Sequence, residues 1–135
     1  MNPEAPLSVE QYASVTSDHT ALGKFGEALA EQRLIELGAS VLARNYSVDG
    51  AEADLIVLHE GDLVAVEVKT RDISDPESPE EAIRWWKLRR IVLALTTYAA
   101  EADLLEEHWR IDLMAVETDA GSVVRCEHIR DIFPP

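Results

Sequence analysis

The stretch AEADLIVLHEGDLVAVEVKTR, Ala51 to Arg71, decides the fold. It divides into two apolar, β-branched runs, 51–58 and 63–70, around His59-Glu60-Gly61-Asp62. Short runs broken by a Gly-containing turn predict an antiparallel hairpin. A tip between Glu60 and Gly61 sets Leu58 opposite Leu63, Asp54 opposite Glu67 and Glu52 opposite Lys69. Side chains alternate across a sheet, so one face carries Ala53, Leu55, Val57, Val64, Val66 and Val68. The other carries Ile56, Leu58, Leu63 and Ala65 near the turn, then Glu52, Asp54, Glu67 and Lys69 at the open end. A hairpin apolar on both faces is expected to be covered on both. Four ionisable groups therefore crowd one end of a buried surface.

Opposed strand residues have Cβ atoms roughly 4.5–5.5 Å apart. Two carboxylates about 5 Å apart repel by roughly 3 kcal/mol at an effective dielectric near 20. Water at an exposed end, the Lys69 ammonium paired with Glu52, or a divalent cation would each offset that repulsion. Oxygen donors from carboxylates suit Mg²⁺, Ca²⁺ or Mn²⁺. The plain alternative is a solvated strand end with a Glu52–Lys69 ion pair.

Outward from this centre, 135 residues with 47% hydrophobic content fit one globular domain. No apolar run reaches the roughly 18–20 residues of a membrane span, so no membrane partner is expected. The start MNPEAPLSVEQ lacks the basic and apolar segments of a secretory signal. The single cysteine, Cys126, excludes an intrachain disulfide and suits a reducing cytoplasm. The formal net charge of −14 opposes long-range steering toward a polyphosphate. Six of the twelve basic residues nevertheless fall between Lys69 and Arg90, which allows a local basic patch.

Residues 1–16 are polar, contain Pro3 and Pro6, and read as a flexible tail before a single domain at 17–135. A helix is expected from Ser17 or Asp18 to Gly38, with Leu22, Phe25, Leu29, Leu34 and Leu37 inward. Gly23, Gly26 and Ala30 form a shallow strip suited to close backbone approach. Glu27 flanks the apolar stripe. A strand at 41–46 and the turn Val48-Asp49-Gly50 lead into the hairpin. After an acidic loop, Ser78-Pro79-Glu80-Glu81 has the form of a helix start, with a serine cap and a glutamate three residues on. That helix is expected to reach Ala100 with Ile83, Trp86, Ala94, Leu95 and Tyr98 inward. Arg84, Trp85, Lys87, Arg89 and Arg90 are its candidate contacts to phosphates and bases. Two further strands, 109–117 and 123–129, flank Asp119-Ala120-Gly121-Ser122. Asp112 is expected to be buried with a structural partner, and Cys126 and His128 to be packing residues rather than zinc ligands.

Gly23-Lys24-Phe25-Gly26-Glu27-Ala28-Leu29-Ala30, Asn45, Ala51-Glu52-Ala53-Asp54-Leu55-Ile56, Val66-Glu67-Val68-Lys69-Thr70-Arg71 and Arg110-Ile111-Asp112 together carry a family likeness. Over residues 20–117 the chain resembles the YraN-type family, assigned to the restriction-endonuclease-like PD-(D/E)xK superfamily and similar in layout to archaeal Holliday junction resolvases. One departure is Ala51, where that family usually has glycine. The resemblance implies an α/β fold with an αβββαβ core, a mixed central sheet flanked by helices. It implies Asp54 and Glu67 as ligands of Mg²⁺ or Mn²⁺, with Glu27 completing or assisting the metal site. Lys69 would orient the attacking water or stabilise charge on the phosphate, and Glu52 and Arg71 are candidate accessory groups. The implied function is metal-dependent endonuclease action on DNA, on branched or structured DNA in particular, by a homodimer. A binding module retaining the fold without catalysis is the alternative. Glycoside hydrolysis by Asp54 and Glu67 fits the carboxylate spacing but leaves Lys69 unexplained.

Overall fold

The computed structural model describes residues 19–133. The expected tail at 1–16 and the helix caps Ser17 and Asp18 lie outside the described residues. The elements run α1 (His19–Glu36), β1 (Ser40–Val48), β2 (Ala51–His59), β3 (Asp62–Asp72), α2 (Trp85–Glu101), β4 (Trp109–Asp119) and β5 (Ser122–Ile129). The strands form one sheet in chain order, antiparallel except for β3 and β4, which run parallel. That parallel step needs a crossover, and α2 supplies it. The expected mixed α/β layout is therefore present.

The hairpin register is the one read from the sequence, with Leu58 opposite Leu63 and Leu55 opposite Val66. Glu60 and Gly61 both take positive φ, 52° and 83°, the backbone of a two-residue primed turn that matches strand twist. Asp49 and Gly50 join β1 to β2 in the same way. Ala51, the departure from the family pattern, is the first residue of β2 rather than part of that turn.

Each sheet face is covered by one helix. Ala30 and Leu34 of α1 pack on Leu55, Val57, Val64, Val66, Met114 and Val116. Leu88, Ile91, Ala94 and Leu95 of α2 pack on Ile56, Leu63, Ala65 and Ile111 on the other face. Each fully buried aliphatic side chain contributes about 1.5–3 kcal/mol, so the two clusters clamp the sheet between the helices. α1 ends as its sequence suggests: Gly38 (φ 92°) follows the last turn, and the Gly38 and Ala39 N–H groups return to the Ile35 and Leu34 carbonyls. Leu37 lies beyond that end and is exposed, so its expected inward position is corrected.

The second helix departs more from expectation. Ser78 and Glu81 do form the reciprocal cap, each backbone N–H donating to the other's side chain at 3.1 Å. They cap a single turn, however, because the chain leaves the helix at Arg84 (φ −108°, ψ 115°). Tertiary bonds hold that turn apart: Arg125 of β5 donates to Glu80, and Arg84 donates to Glu77 and to the Glu81 carbonyl. Restarting at Trp85 changes the phase of the buried stripe to Leu88, Ile91, Leu95 and Ala99. Trp86, expected inward, is consequently 60% exposed.

Gly26 sets how closely α1 approaches β3. A Cβ there would overlap Thr70 Oγ1 and lie 2.9 Å from the Thr70 Cβ. Among the described residues the buried Thr70 hydroxyl has no hydrogen-bond partner. Gly23, by contrast, faces open space, so only part of the expected strip is a packing surface.

At the turn end of the α1 face, Arg110 and Asp112 form a buried polar cluster. Arg110 donates to both Asp112 oxygens, at 3.0 and 3.2 Å, and to Asp62 and His59 Nδ1. Arginine has only donors, so His59 Nδ1 accepts and its proton sits on Nε2. His128 Nε2 and the Asp131 N–H also donate to Asp112, at 2.7 and 3.0 Å. Burial opposes ionisation of Asp112, but the bonds from His128, Asp131 and Arg110 outweigh it and hold the carboxyl below its usual range. The structural role expected for Asp112 is present, and His128 serves that cluster rather than a metal.

Two outcomes follow for stability in urea. Gly26→Ala should cost about 1–3 kcal/mol despite its better helix propensity, and should cost less in a Thr70→Ala background. Asp112→Ala should cost about 3–5 kcal/mol by removing the buried acceptor that Arg110, His128 and the Asp131 N–H share. The depressed Asp112 pKa stabilises the fold above the ordinary aspartate range, and this part is lost as pH falls through the folded value. The variant's penalty should therefore shrink in acid.

Candidate active site

The ladder between β2 and β3 ends at Leu55 and Val66. Beyond it, Asp54 Oδ2 accepts the Val68 backbone N–H at 2.8 Å, a side chain standing where a strand bond would be. The alternation of β2 also shifts there. Leu55 and Val57 belong to the α1-side cluster, whereas Ala51 and Ala53 belong to the α2-side cluster. This corrects the expected placement of Ala53 beside Leu55, and it turns Glu52 toward α1. On β1, between Arg44 opposite Leu55 and Tyr46 opposite Ala53, Asn45 takes φ 48°.

The expected Glu52–Lys69 pair is not formed as a result. Glu52 accepts the Ser47 hydroxyl at 3.4 Å, and Lys69 Nζ lies 3.6 Å from Glu67 Oε1 on its own strand. A cleft of about 580 Å³ opens into the splayed strand end. Lys24 and Glu27 reach it from α1, Glu52 and Asp54 from β2, Glu67 and Lys69 from β3, and Lys87 and Arg90 from α2. Arg90 also donates to the Gly50 carbonyl at 3.0 Å, tying α2 to the β1–β2 turn.

Other sequence candidates stand elsewhere. Arg71 turns into the acidic loop, bonding the Thr70 carbonyl and lying 3.9 and 3.6 Å from Asp75 and Glu77. It does not line the cleft. Arg84 is likewise committed to Glu77 and the Glu81 carbonyl. Arg89 and Trp85 are exposed but do not line the cleft. Lys24 and Asn45, which do line it, stand in the family motif but were given no role there. Lys24 stands three residues before Glu27 on one helix flank, and that spacing was the available signal. Nothing in the sequence marked the Asn45 backbone.

The carboxylates are coupled through Asp54. Burial first, then the Asp54 and Glu52 charges and a hydrogen bond with Asp54, raise Glu27 to about 7, against a smaller opposing effect of Lys24. Burial, the Asp54 charge and a hydrogen bond with Asp54 raise Glu67 to about 8, while Lys69 and Lys87 oppose. In a metal-free protein burial, and after it the neighbouring charges, favour the protonated forms of these groups. A hard cation would offset both effects. No three acidic, histidine or cysteine side chains among the described residues close on one point. The donors are carboxylates coupled in pairs at Asp54, which fits Mg²⁺, an ion that keeps several waters and takes one or two carboxylates.

Raised carboxylate pKa values stabilise the fold below the ordinary range near 4.5, and that contribution is lost as pH rises through about 7 and 8. In EDTA, the wild-type Tm should therefore fall by roughly 5–10 °C between pH 5 and pH 8.5. Glu67→Gln should flatten that slope, and Mg²⁺ should flatten it in the wild type. Thermal scans across pH, with and without Mg²⁺, read both effects.

Residues 26–116 match the model of the uncharacterised protein family UPF0102. A UPF0102 protein of Flavobacterium psychrophilum is 37% identical over 117 residues, covering 87% of this chain and 97% of that one. A relative from Roseiflexus castenholzii is also 37% identical, covering 85% and 94%. One from Rhodococcus opacus is 40% identical, covering 84% and 96%. The matched region contains Glu27, Asp54, Glu67 and Lys69, and the chain belongs to the UPF0102 family, the YraN family of its motif resemblance.

Proposed function

We propose that this protein hydrolyses DNA phosphodiesters with a divalent cation, Mg²⁺ or Mn²⁺, at the cleft between β2 and β3. The observation that carries this reading is one cleft lined by Glu27 from a helix and by Asp54 and Glu67 from neighbouring strands, with Lys69 3.6 Å from Glu67. Asp54, fixed by the Val68 N–H, and Glu67 would hold the cation, and Glu27 would assist from α1. A bound cation supplies a more acidic water and neutralises charge developing on the phosphate.

The chain's own groups do the rest. Lys69 orients the attacking water or pairs with the charge that builds on the phosphate oxygens. Lys87 and Arg90, on the opposite wall, attract the phosphate backbone. The cleft brings four cations, Lys24, Lys69, Lys87 and Arg90, against four acids, Glu27, Glu52, Asp54 and Glu67. That balance differs from the whole chain, with its 26 acidic and 12 basic residues. Binding is thus local and salt-sensitive. The net charge of −14 favours one other reading, a fold kept for binding a basic protein without cleavage.

Incubation of branched, single-stranded and duplex DNA with Mg²⁺ or Mn²⁺ tests the proposal. Asp54→Asn and Glu67→Gln should each lower the cleavage rate by about 100-fold or more, the scale of losing charge stabilisation in a transition state. Lys69→Met should lower it by at least about tenfold and alter its pH profile. Residual cleavage equal in all variants would mark a contaminant and reject hydrolysis.

A further inference from the structure

Two tryptophans stand exposed at the start of α2, Trp85 at 52% and Trp86 at 60%. Neither joins the α2-side core, whose helix stripe is Leu88, Ile91, Ala94, Leu95 and Ala99. Large aromatic surface left in water marks a place where something else packs. Its neighbours indicate what that is. Trp86 lies one helical turn before Arg90 and next to Lys87, and both cations line the cleft. Residues four apart on a helix share a face, with Cβ atoms about 5–6 Å apart. The acidic end of the helix, at Glu101, is about 22 Å away at 1.5 Å per residue. The Trp86 indole therefore shares a helix flank with Arg90 of the cationic wall, and Trp85 stands beside it at the helix start.

We propose that Trp85 and Trp86 form a stacking platform for unpaired bases, so that the substrate enters with a single-stranded segment. This rests on the reading of the cleft as a phosphodiester site, and it adds which nucleic acid that site takes. An indole face stacks on any base whose own face is free, while bases inside a duplex are already stacked on one another. Lys87 and Arg90 supply the phosphate contacts that hold the strand against the platform. Arg89, exposed one turn beyond Trp85, adds a cation beside that indole.

The test is binding of the full chain, in EDTA, to fluorescein-labelled dT15 and to a labelled 15-base-pair duplex, read by anisotropy. Trp86→Ala should weaken dT15 binding about 5- to 100-fold, the range for loss of one base–aromatic stack, and Trp85→Ala should act in the same direction. Duplex binding should change less than about threefold, because phosphate contacts dominate it. Trp86→Phe, which keeps a π-face, should restore most of the dT15 affinity. Both positions are exposed, so the variants should keep the wild-type Tm.

Equal losses on the two probes, or no loss on dT15, would overturn the platform. So would a dimer that becomes a monomer by light scattering on Trp85→Ala/Trp86→Ala, since the occupant would then be a second copy of this chain. Cleavage separates the two readings. Tryptophan-dependent dT15 binding without hydrolysis in Mg²⁺ or Mn²⁺ would retain the platform and remove the nuclease. Hydrolysis with dT15 binding indifferent to both substitutions would do the reverse.

Discussion

The geometry of the candidate site depends on one bond, from the Val68 N–H to the Asp54 carboxylate. Continuous pairing beyond Leu55 and Val66 would have joined the strands through backbone amides and carbonyls alone. The bond to a side chain instead satisfies the Val68 donor while the strands part. An unpaired buried N–H costs about 1–3 kcal/mol, so a splayed hairpin needs such a substitute. The acid at position 54 therefore both terminates the ladder and populates the space that termination creates.

Around that point the two helices do different jobs. α1 is brought down onto β3 by the absence of a side chain at Gly26, and the next residue, Glu27, then reaches the Asp54 carboxylate. α2 comes from the opposite face, and its charged groups in the cleft are both cations, Lys87 and Arg90. These cations and Lys24 of α1 meet the acids at the gap in the sheet. This is how a chain with 26 acidic residues presents a locally balanced cleft.

The sequence was most informative where a short-range rule acts alone. Strand alternation and Glu60-Gly61 located the hairpin and its register, and Gly38 located the end of α1. The acid quartet was legible for the same reason, although its internal pairing was not. Period-two logic carried straight through Asp54 put Glu52 opposite Lys69, and the shift that separates them depends on a side chain bonding to another strand. α2 shows a second kind of failure. Ser78 and Glu81 give a correct local signal, but Arg125, more than forty residues away in sequence, anchors the turn they cap. The helix then restarts in a new phase and exposes Trp86. Long-range tethers of this kind leave no periodic trace in a sequence.

Arg90 carries a consequence for recognition. One of its five donors is already spent on the Gly50 carbonyl, and the turn backbone sits so close that a Cβ at Gly50 would lie 2.8 Å from the guanidinium. The side chain is thus a strut rather than a swinging arm. Its rotamers were narrowed when the chain folded, so an anion meeting the remaining donors would not have to still a flexible group, which typically costs about 0.5–1.5 kcal/mol. A lysine could not bridge in this way and still offer a planar fork to the newcomer.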